Sequence, residues 1–244
     1  MQMISASLSQ PGGRKVNEDS CVQETLRSGQ GIWIVADGLG GHGSGDVASS
    51  IVVKNMLNTF RANPAISSEA LSAHLDAAQL ALIKHQEADP RLASMRTTVV
   101  ALLGDVNQAI WGHVGDSRLY LFHKGRIHTQ TKDHSVPQAM ADAGDIAYED
   151  IRYHEDRNRL LRSMGNEGKL RLTVETTPRQ LQIGDAFLLC TDGFWEYVTE
   201  TEMGISLAKS TSPEQWLNEM EKIILKRAPS NHDNYTGIAV FVEH

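Results

Sequence analysis

Short runs of aliphatic and β-branched residues recur along the chain: Ile4–Leu8, Ile32–Ala36, Thr97–Leu103, Ala109–Val114, Arg118–Phe122, Leu170–Glu175, Ala186–Thr191 and Ile238–Val242. Each has strand length, and most are bounded by Gly, Asp, Asn or Pro, so the pattern predicts strands. Between Thr97 and Thr131 one strand follows another through short connections such as Gly104-Asp105-Val106-Asn107 and His123-Lys124-Gly125. A parallel crossover needs a dozen or more residues, so these connections predict antiparallel hairpins.

Helical periodicity appears in three places. Asp46–Phe60 is the first, and Ser68–Glu87 is the second, with Leu71, Leu75, Ala78 and Leu82 on one stripe and Glu69 in the dipole-favoured first turn. Ser212-Pro213-Glu214-Gln215 opens the third, with Ser as N-cap, Pro at the first helical position and Gln placed for a capping box. Trp216, Met220, Ile223 and Ile224 supply its buried face. Helices come in groups rather than alternating with strands, which predicts an α+β layering. Residues 136–168 are polar and mix many acids and arginines. They read as a partly helical surface excursion, a flap over a site, because connections of this length are uncommon without a role.

Composition sharpens the picture. The 244 residues are 41% hydrophobic and 22% charged, which suits one globular domain over 1–244. Lys plus Arg number 23 against 30 Asp plus Glu, a net charge of −7. That balance opposes a generic binder of nucleic acid or anionic membranes, since both need surplus cations. No apolar run approaches the roughly 20 residues of a membrane span. The start of the chain lacks a basic, then apolar, leader. With two cysteines, Cys21 and Cys190, read as reduced thiols, the expectation is a cytoplasmic protein.

Gly38-Leu39-Gly40-Gly41-His42-Gly43 matches the dinucleotide pattern G-x-G-x-x-G after a strand. Its context fails: a second helix follows the first, no acid ends a second strand, and Asp37 would repel a pyrophosphate. The acids themselves form a better pattern. Apolar strands run into Asp37-Gly38, Asp192-Gly193 and Asp116, Asp233 stands just before the terminal strand, and Glu18-Asp19 open another segment. An isolated Asp-Gly is usually a turn. Acids at several adjacent strand ends, however, would converge on one rim, where unpaired carboxylates repel or protonate. A hard divalent cation resolves that conflict, and carboxylates, a carbonyl and water are the ligands Mg2+ or Mn2+ accepts. Scattered His42, His113, His134, His154 and His232 do not make a zinc site. Arg14, four residues before Glu18, offers a planar grip on phosphate. Metals with one arginine, and no recognisable Ser or Cys nucleophile, point to metal-assisted hydrolysis of a phosphate ester.

The string Arg14-x-x-Asn17-Glu18-Asp19, then Val35-Ala36-Asp37-Gly38-Leu39-Gly40-Gly41-His42, Gly112-His113-Val114-Gly115-Asp116-Ser117-Arg118, Asp133-His134-Ser135, Leu189-Cys190-Thr191-Asp192-Gly193 and Asp233-Asn234 resembles the metal-dependent serine/threonine protein phosphatases of type 2C. The motifs span about Arg14 to Val242 in the family's order and are most similar to bacterial stand-alone members. The resemblance implies a four-layer α/β/β/α sandwich of two antiparallel sheets flanked by helices. It implies two Mn2+ or Mg2+ ions per chain: Asp37 bridging, with the Gly38 carbonyl; Asp192 and Asp233 completing the first site; Glu18 and Asp19 serving the second directly or through water. Asp116 with Asp192 would match the third-metal position of bacterial members. Arg14 would hold the substrate phosphate, and residues 136–168 would be the flap.

The implied reaction is hydrolysis of phosphoserine or phosphothreonine by a metal-bridging hydroxide, without a phosphoenzyme. The implied partners are phosphorylated proteins and a cognate serine/threonine kinase. Leu39 stands where some eukaryotic members place a histidine general acid, which leaves the proton donor unassigned, with His42 nearby in sequence. Met95-Arg96-Thr97-Thr98 replaces the usual Gly-Thr-Thr, and Gly237 follows Thr236 where a β-branched residue is more common. Two other readings share the scaffold or the chemistry: a metal-dependent phosphoprotein-binding module without turnover, and a two-metal nuclease or phosphodiesterase. The intact acids oppose the first and the charge of −7 opposes the second.

Overall fold

In the computed structural model, which describes residues 1–40 and 44–243, the inner aliphatic runs are strands covered on both faces. β3 (Gly31–Leu39) shows why. Ile32, Ile34 and Ala36 pack against helices, while the intervening Trp33 and Val35 pack against a second sheet. β11 (Asp185–Cys190) repeats the device from that second sheet. Ala186, Leu188 and Cys190 face its helices, and Phe187 and Leu189 face inward. Alternation along a strand thus feeds two apolar layers at once.

One sheet runs β1 (Gln2–Gln10), β12 (Tyr235–Glu243), β11, β7 (Arg118–His123) and β8 (Arg126–Gln130). The other runs β10 (Arg179–Gln180), β6 (Gln108–Val114), β5 (Val99–Gly104), β3 and β2 (Asp19–Thr25). In it, β4 (Arg96–Thr97) lies beside β3, and β9 (Thr173–Val174) beside β6. All these pairings are antiparallel. α1 (Gly45–Ala62) and α2 (Ser68–Ala88) cover the β3 sheet. The one-turn α4 (Asp192–Trp195), α5 (Glu200–Lys209) and α6 (Pro213–Arg227) cover the other. The result is the expected α+β sandwich of four layers.

Local predictions hold in part. Leu71, Leu75, Ala78 and Leu82 are buried along α2. Ser212 caps α6 by accepting from the Gln215 backbone, but no box closes on Ser212: the Gln215 side chain instead accepts from Thr211 N at 2.9 Å. The Thr97–Leu103 run breaks at Thr98, whose N–H donates to the Asp37 carbonyl. Leu170–Glu175 shrinks to Thr173–Val174, because β6 offers it only Gly112 and His113, while Leu170 and Leu172 pack on the helix-side core. Within 136–168 lie α3 (Val136–Ala143) and a 3-10 turn at Tyr148–Tyr153. Single bridges, Ser135 with Leu160 and Thr97 with Met164, tie the excursion back to the sandwich. Cys21 and Cys190 are unpaired. Among the described residues, no helix is long and apolar enough to cross a membrane.

Candidate active site

At one rim of the sandwich a cavity of about 350 Å3 is lined by Arg14, Glu18, Asp37, Gly38, Asp116, Asp192 and Asp233. Val16, Leu39, Gly40, Asn158, Leu160 and Asn234 complete its wall. Of the residues expected to hold metal or phosphate, Asp19 alone is not in the lining. It lies buried beneath, where Thr191 Oγ1 donates to its Oδ2 at 3.0 Å and its Oδ1 has no partner. His42 lies outside the described residues. His113 and His134 are buried and stacked on each other, away from this cavity.

Each acid is placed by its element. β2 and β3 pair Asp19 with Asp37. The Asp37 backbone is held on both sides: Thr98 N and Thr97 Oγ1 donate to its carbonyl at 2.9 and 2.7 Å, and its N–H donates to Thr98 Oγ1 at 3.1 Å. Thr97-Thr98 thus supply the support despite the Met95-Arg96 that precede them. Asp192 opens α4, and its Oδ1 accepts from Gly193 N at 2.6 Å. Asp116 sits in the β6–β7 turn, its carbonyl accepting from Trp195 Nε1 at 2.9 Å. Beside it, the Ser117 hydroxyl bonds that of Thr98 at 2.7 Å.

Two glycine contacts are obligatory. A Cβ on Gly38 would stand 2.1 Å from the Gly45 carbonyl oxygen, so α1 can start directly on the Asp37-Gly38 backbone only without a side chain there. Gly12 has φ +57°, and a Cβ would stand 2.2 Å from the Asp233 carbonyl oxygen. That turn brings Arg14 to Asp233, Nη2 to Oδ2 at 3.0 Å. Gly237 also has a reason, since a Cβ would press the Phe194 ring at 3.0 Å.

Electrostatics mark the cavity. Burial first, then Asp192, Asp19, Asp116 and Asp233, drives Asp37 well above the usual carboxylate range. Burial, then Glu196 and Asp233, raises Asp192 to about 7. Asp19 rises to about 7, chiefly through burial, and Asp116 is raised by burial and then by Asp192. Glu18 is raised as well, mainly by burial. Carboxylates this crowded hold a negative charge only when a cation joins them. The unpartnered Asp19 Oδ1, the all-oxygen donor set and the Gly38 backbone at the wall fit Mn2+ or Mg2+. Among the described residues, no three His, Cys, Asp or Glu side chains close into a ready ligand set. An ion that keeps several waters and takes one or two carboxylates, as Mg2+ does, suits such a wall better than zinc.

Some participants were given no role from the sequence, although Asn234 stands in the Asp233-Asn234 motif. Asn158 and Leu160, from the polar excursion, reach the cavity wall. Asn234 is a hub: its Oδ1 accepts from Glu18 N at 2.8 Å, and its Nδ2 donates to Pro11 O and Val16 O at 2.8 and 3.0 Å. The Asp233-Asn234 motif marked the position, and an Asn flanking an acid in an irregular segment is suited to bonding nearby backbone.

The sequence model described as "Protein phosphatase 2C" matches residues 12–226. A "Serine/threonine phosphatase stp" of Listeria welshimeri is 33% identical over 234 residues, covering 93% of this chain and 90% of the relative. Among solved structures, the serine/threonine phosphatase PstP/Ppp of Mycobacterium tuberculosis superposes with TM-score 0.86 at 31% identity, covering all of both chains. A PstP catalytic domain in complex with two manganese ions superposes with TM-score 0.84 at 29% identity, covering 99% of each.

Proposed function

Since the chain belongs to the protein phosphatase 2C family, we propose that its acidic cavity hydrolyses phosphoserine and phosphothreonine on proteins and so reverses a serine/threonine kinase. The observation that carries this reading is the gathering of Glu18, Asp37, Asp116, Asp192 and Asp233 with Arg14 around one cavity. Asp37 and the Gly38 carbonyl, with Asp192 and Asp233, are the residues to hold one Mn2+ or Mg2+. Glu18, backed by Asp19, would hold a second, and Asp116 with Asp192 a third. When bound, such ions lower the pKa of water and neutralise phosphate charge.

The chain's own groups do the rest. Arg14 is half exposed at the cavity mouth, and Asp233 aims its guanidinium, which can grip two phosphate oxygens at once. Leu39 and Leu160 give the cavity apolar wall. Thr97 and Thr98 keep the Asp37 backbone from moving as charge develops. We infer direct transfer to water without a phosphoenzyme. We assign 1–244 as one catalytic domain with 136–168 as its flap, working in the cytoplasm, where Cys21 and Cys190 stay reduced.

The test is release of inorganic phosphate from a phosphothreonine peptide in Mn2+. Asp37→Asn and Asp192→Asn are each expected to lose at least 100-fold in kcat, which corresponds to about 2.7 kcal/mol of transition-state stabilisation. Full activity in either variant, or indifference to chelator, would overturn the reading. Retention of the peptide without phosphate release would favour a binding module instead.

A further inference from the structure

We propose that Trp195 and His134 are positioning residues for Asp116: together they hold the Gly115-Asp116 backbone and so fix its carboxylate relative to that of Asp192. Both acids line the catalytic cavity, yet they are far apart in the chain. Asp116 belongs to no helix or strand. It sits in the turn that carries the chain from β6 in one sheet to β7 in the other, so its aim depends on what grips that turn. The inference rests on the proposed function in taking Asp116 and Asp192 as holders of one ion.

Trp195 supplies the first grip. Asp192 opens α4 and Trp195 ends it, and the Trp195 Nε1–H donates to the Asp116 carbonyl at 2.9 Å. The single turn that presents one acid thus holds the backbone of the other. The indole is itself clamped. The Arg118 guanidinium carbon lies 3.6 Å from the ring centre, where a cation is attracted to the ring face. Arg118 is pinned in turn, donating to both Asp133 oxygens at 2.8 and 2.7 Å and to the Tyr120 hydroxyl at 3.0 Å. Trp195, Arg118, Tyr120 and Asp133 are all buried. A core position needs only the apolar ring; here its one polar atom is spent on the backbone of an acid in the cavity wall.

His134 supplies the second grip. Its backbone N–H donates to the Gly115 carbonyl at 2.8 Å, and its Nδ1 accepts from the Gly115 N–H at 3.1 Å. The ring is steadied by Thr173 Oγ1, 2.9 Å from Nε2, and by His113 stacked at 4.4 Å. Three hydrogen bonds therefore fix two successive residues of the turn. Outer partners that orient a metal-binding side chain typically change metal affinity 10- to 100-fold when removed.

The experiment titrates Mn2+ into wild type, Asp116→Asn, Trp195→Phe and the double variant, reading free Mn2+ by EPR. Trp195→Phe keeps an aromatic ring and loses the N–H. Asp116→Asn and Trp195→Phe are each expected to weaken the same Mn2+ site about tenfold or more, leaving tighter binding unchanged. In the double variant the Trp195 change is expected to add nothing, because it acts through Asp116. An indole that merely fills the core would lower Tm and leave every Mn2+ affinity in place, which overturns the proposal, as does an equal loss on both backgrounds. Should Trp195→Phe fail to fold, His134 carries the comparison. His134→Asn retains an oxygen to accept from the Gly115 N–H and is expected to keep the Mn2+ affinity that His134→Leu loses; equal affinities overturn the proposal. Asp116→Asn with Mn2+ binding intact removes the third ion of the proposed function and the positioning role with it. Weakened binding in Asp116→Asn, but in neither Trp195→Phe nor His134→Leu, overturns the positioning role alone.

Discussion

Asp19 and Asp37 stand directly opposite each other on neighbouring strands, at the end of the β2–β3 ladder nearest the cavity. Like charges in that position repel, and burial removes the water that would screen them. The sheet tolerates the pair because each acid is otherwise braced, Asp19 by the Thr191 hydroxyl and Asp37 through its backbone. The strain is the counterpart of affinity for a cation.

Asp19→Asn removes one charge from the opposed pair while keeping an oxygen for Thr191. The metal-free protein is expected to gain about 1 kcal/mol, or roughly 2–4 °C in Tm for a chain of this size. The rise in Tm on adding Mn2+ is expected to shrink. Thermal melts with and without Mn2+ check both; an unchanged Mn2+ response would remove Asp19 from the ion's surroundings.

Thr98→Val deletes the acceptor of the Asp37 N–H and the hydroxyl partner of Ser117. Loss of two buried hydrogen bonds predicts destabilisation of about 1–3 kcal/mol, seen as a lower denaturation midpoint. Because the fault falls on the backbone of a proposed ligand, kcat is expected to fall about tenfold with KM nearly unchanged.

Arg14→Ala behaves oppositely. Its ion pair with Asp233 joins side chains 55% and 44% exposed, so its loss is expected to leave Tm within about 1 °C. The lost phosphate contact predicts a kcat/KM for phosphopeptide lower by about 10- to 100-fold. Steady-state kinetics beside a melt separates the two effects; a large drop in Tm with normal kcat/KM would contradict the assignment.

Far from the cavity, the Arg227 guanidinium bonded to Glu202 holds its carboxyl down at about 2, against an ordinary 4.5. A lowered folded-state pKa stabilises the fold fully above pH 4.5, and that contribution disappears as the pH falls toward about 2. Glu202→Gln is therefore expected to melt below the wild type at neutral pH, with the gap closing across that window. Melting curves from pH 7 to pH 2 check it.

The inner strands were legible because each must satisfy two faces. Trp33 and Val35 alternate with Ile32 and Ile34, and no polar position interrupts the run. β2, at the sheet edge, has only the adjacent Cys21 and Val22 among polar residues and lacks that signature, so it is not legible. α5 was also missed, its start marked by the Thr199–Glu202 capping box but its buried face reduced to Met203 and Ser206. The acids of the cavity were legible as strand-end residues, since a strand's length fixes where its end falls. Asn158 and Leu160 were not, because an irregular excursion places side chains through tertiary contacts such as the Ser135–Leu160 bridge.

Chelation by EDTA is expected to abolish turnover, with Mn2+ restoring it, but the ion's position is the sharper question. Crystals soaked in Mn2+ and measured at the manganese absorption edge would show it without reference to activity. Anomalous peaks are expected in the cavity against Asp37, Asp192 and Asp233, with another beside Glu18. A fully soaked crystal with no peak among those carboxylates would contradict the account.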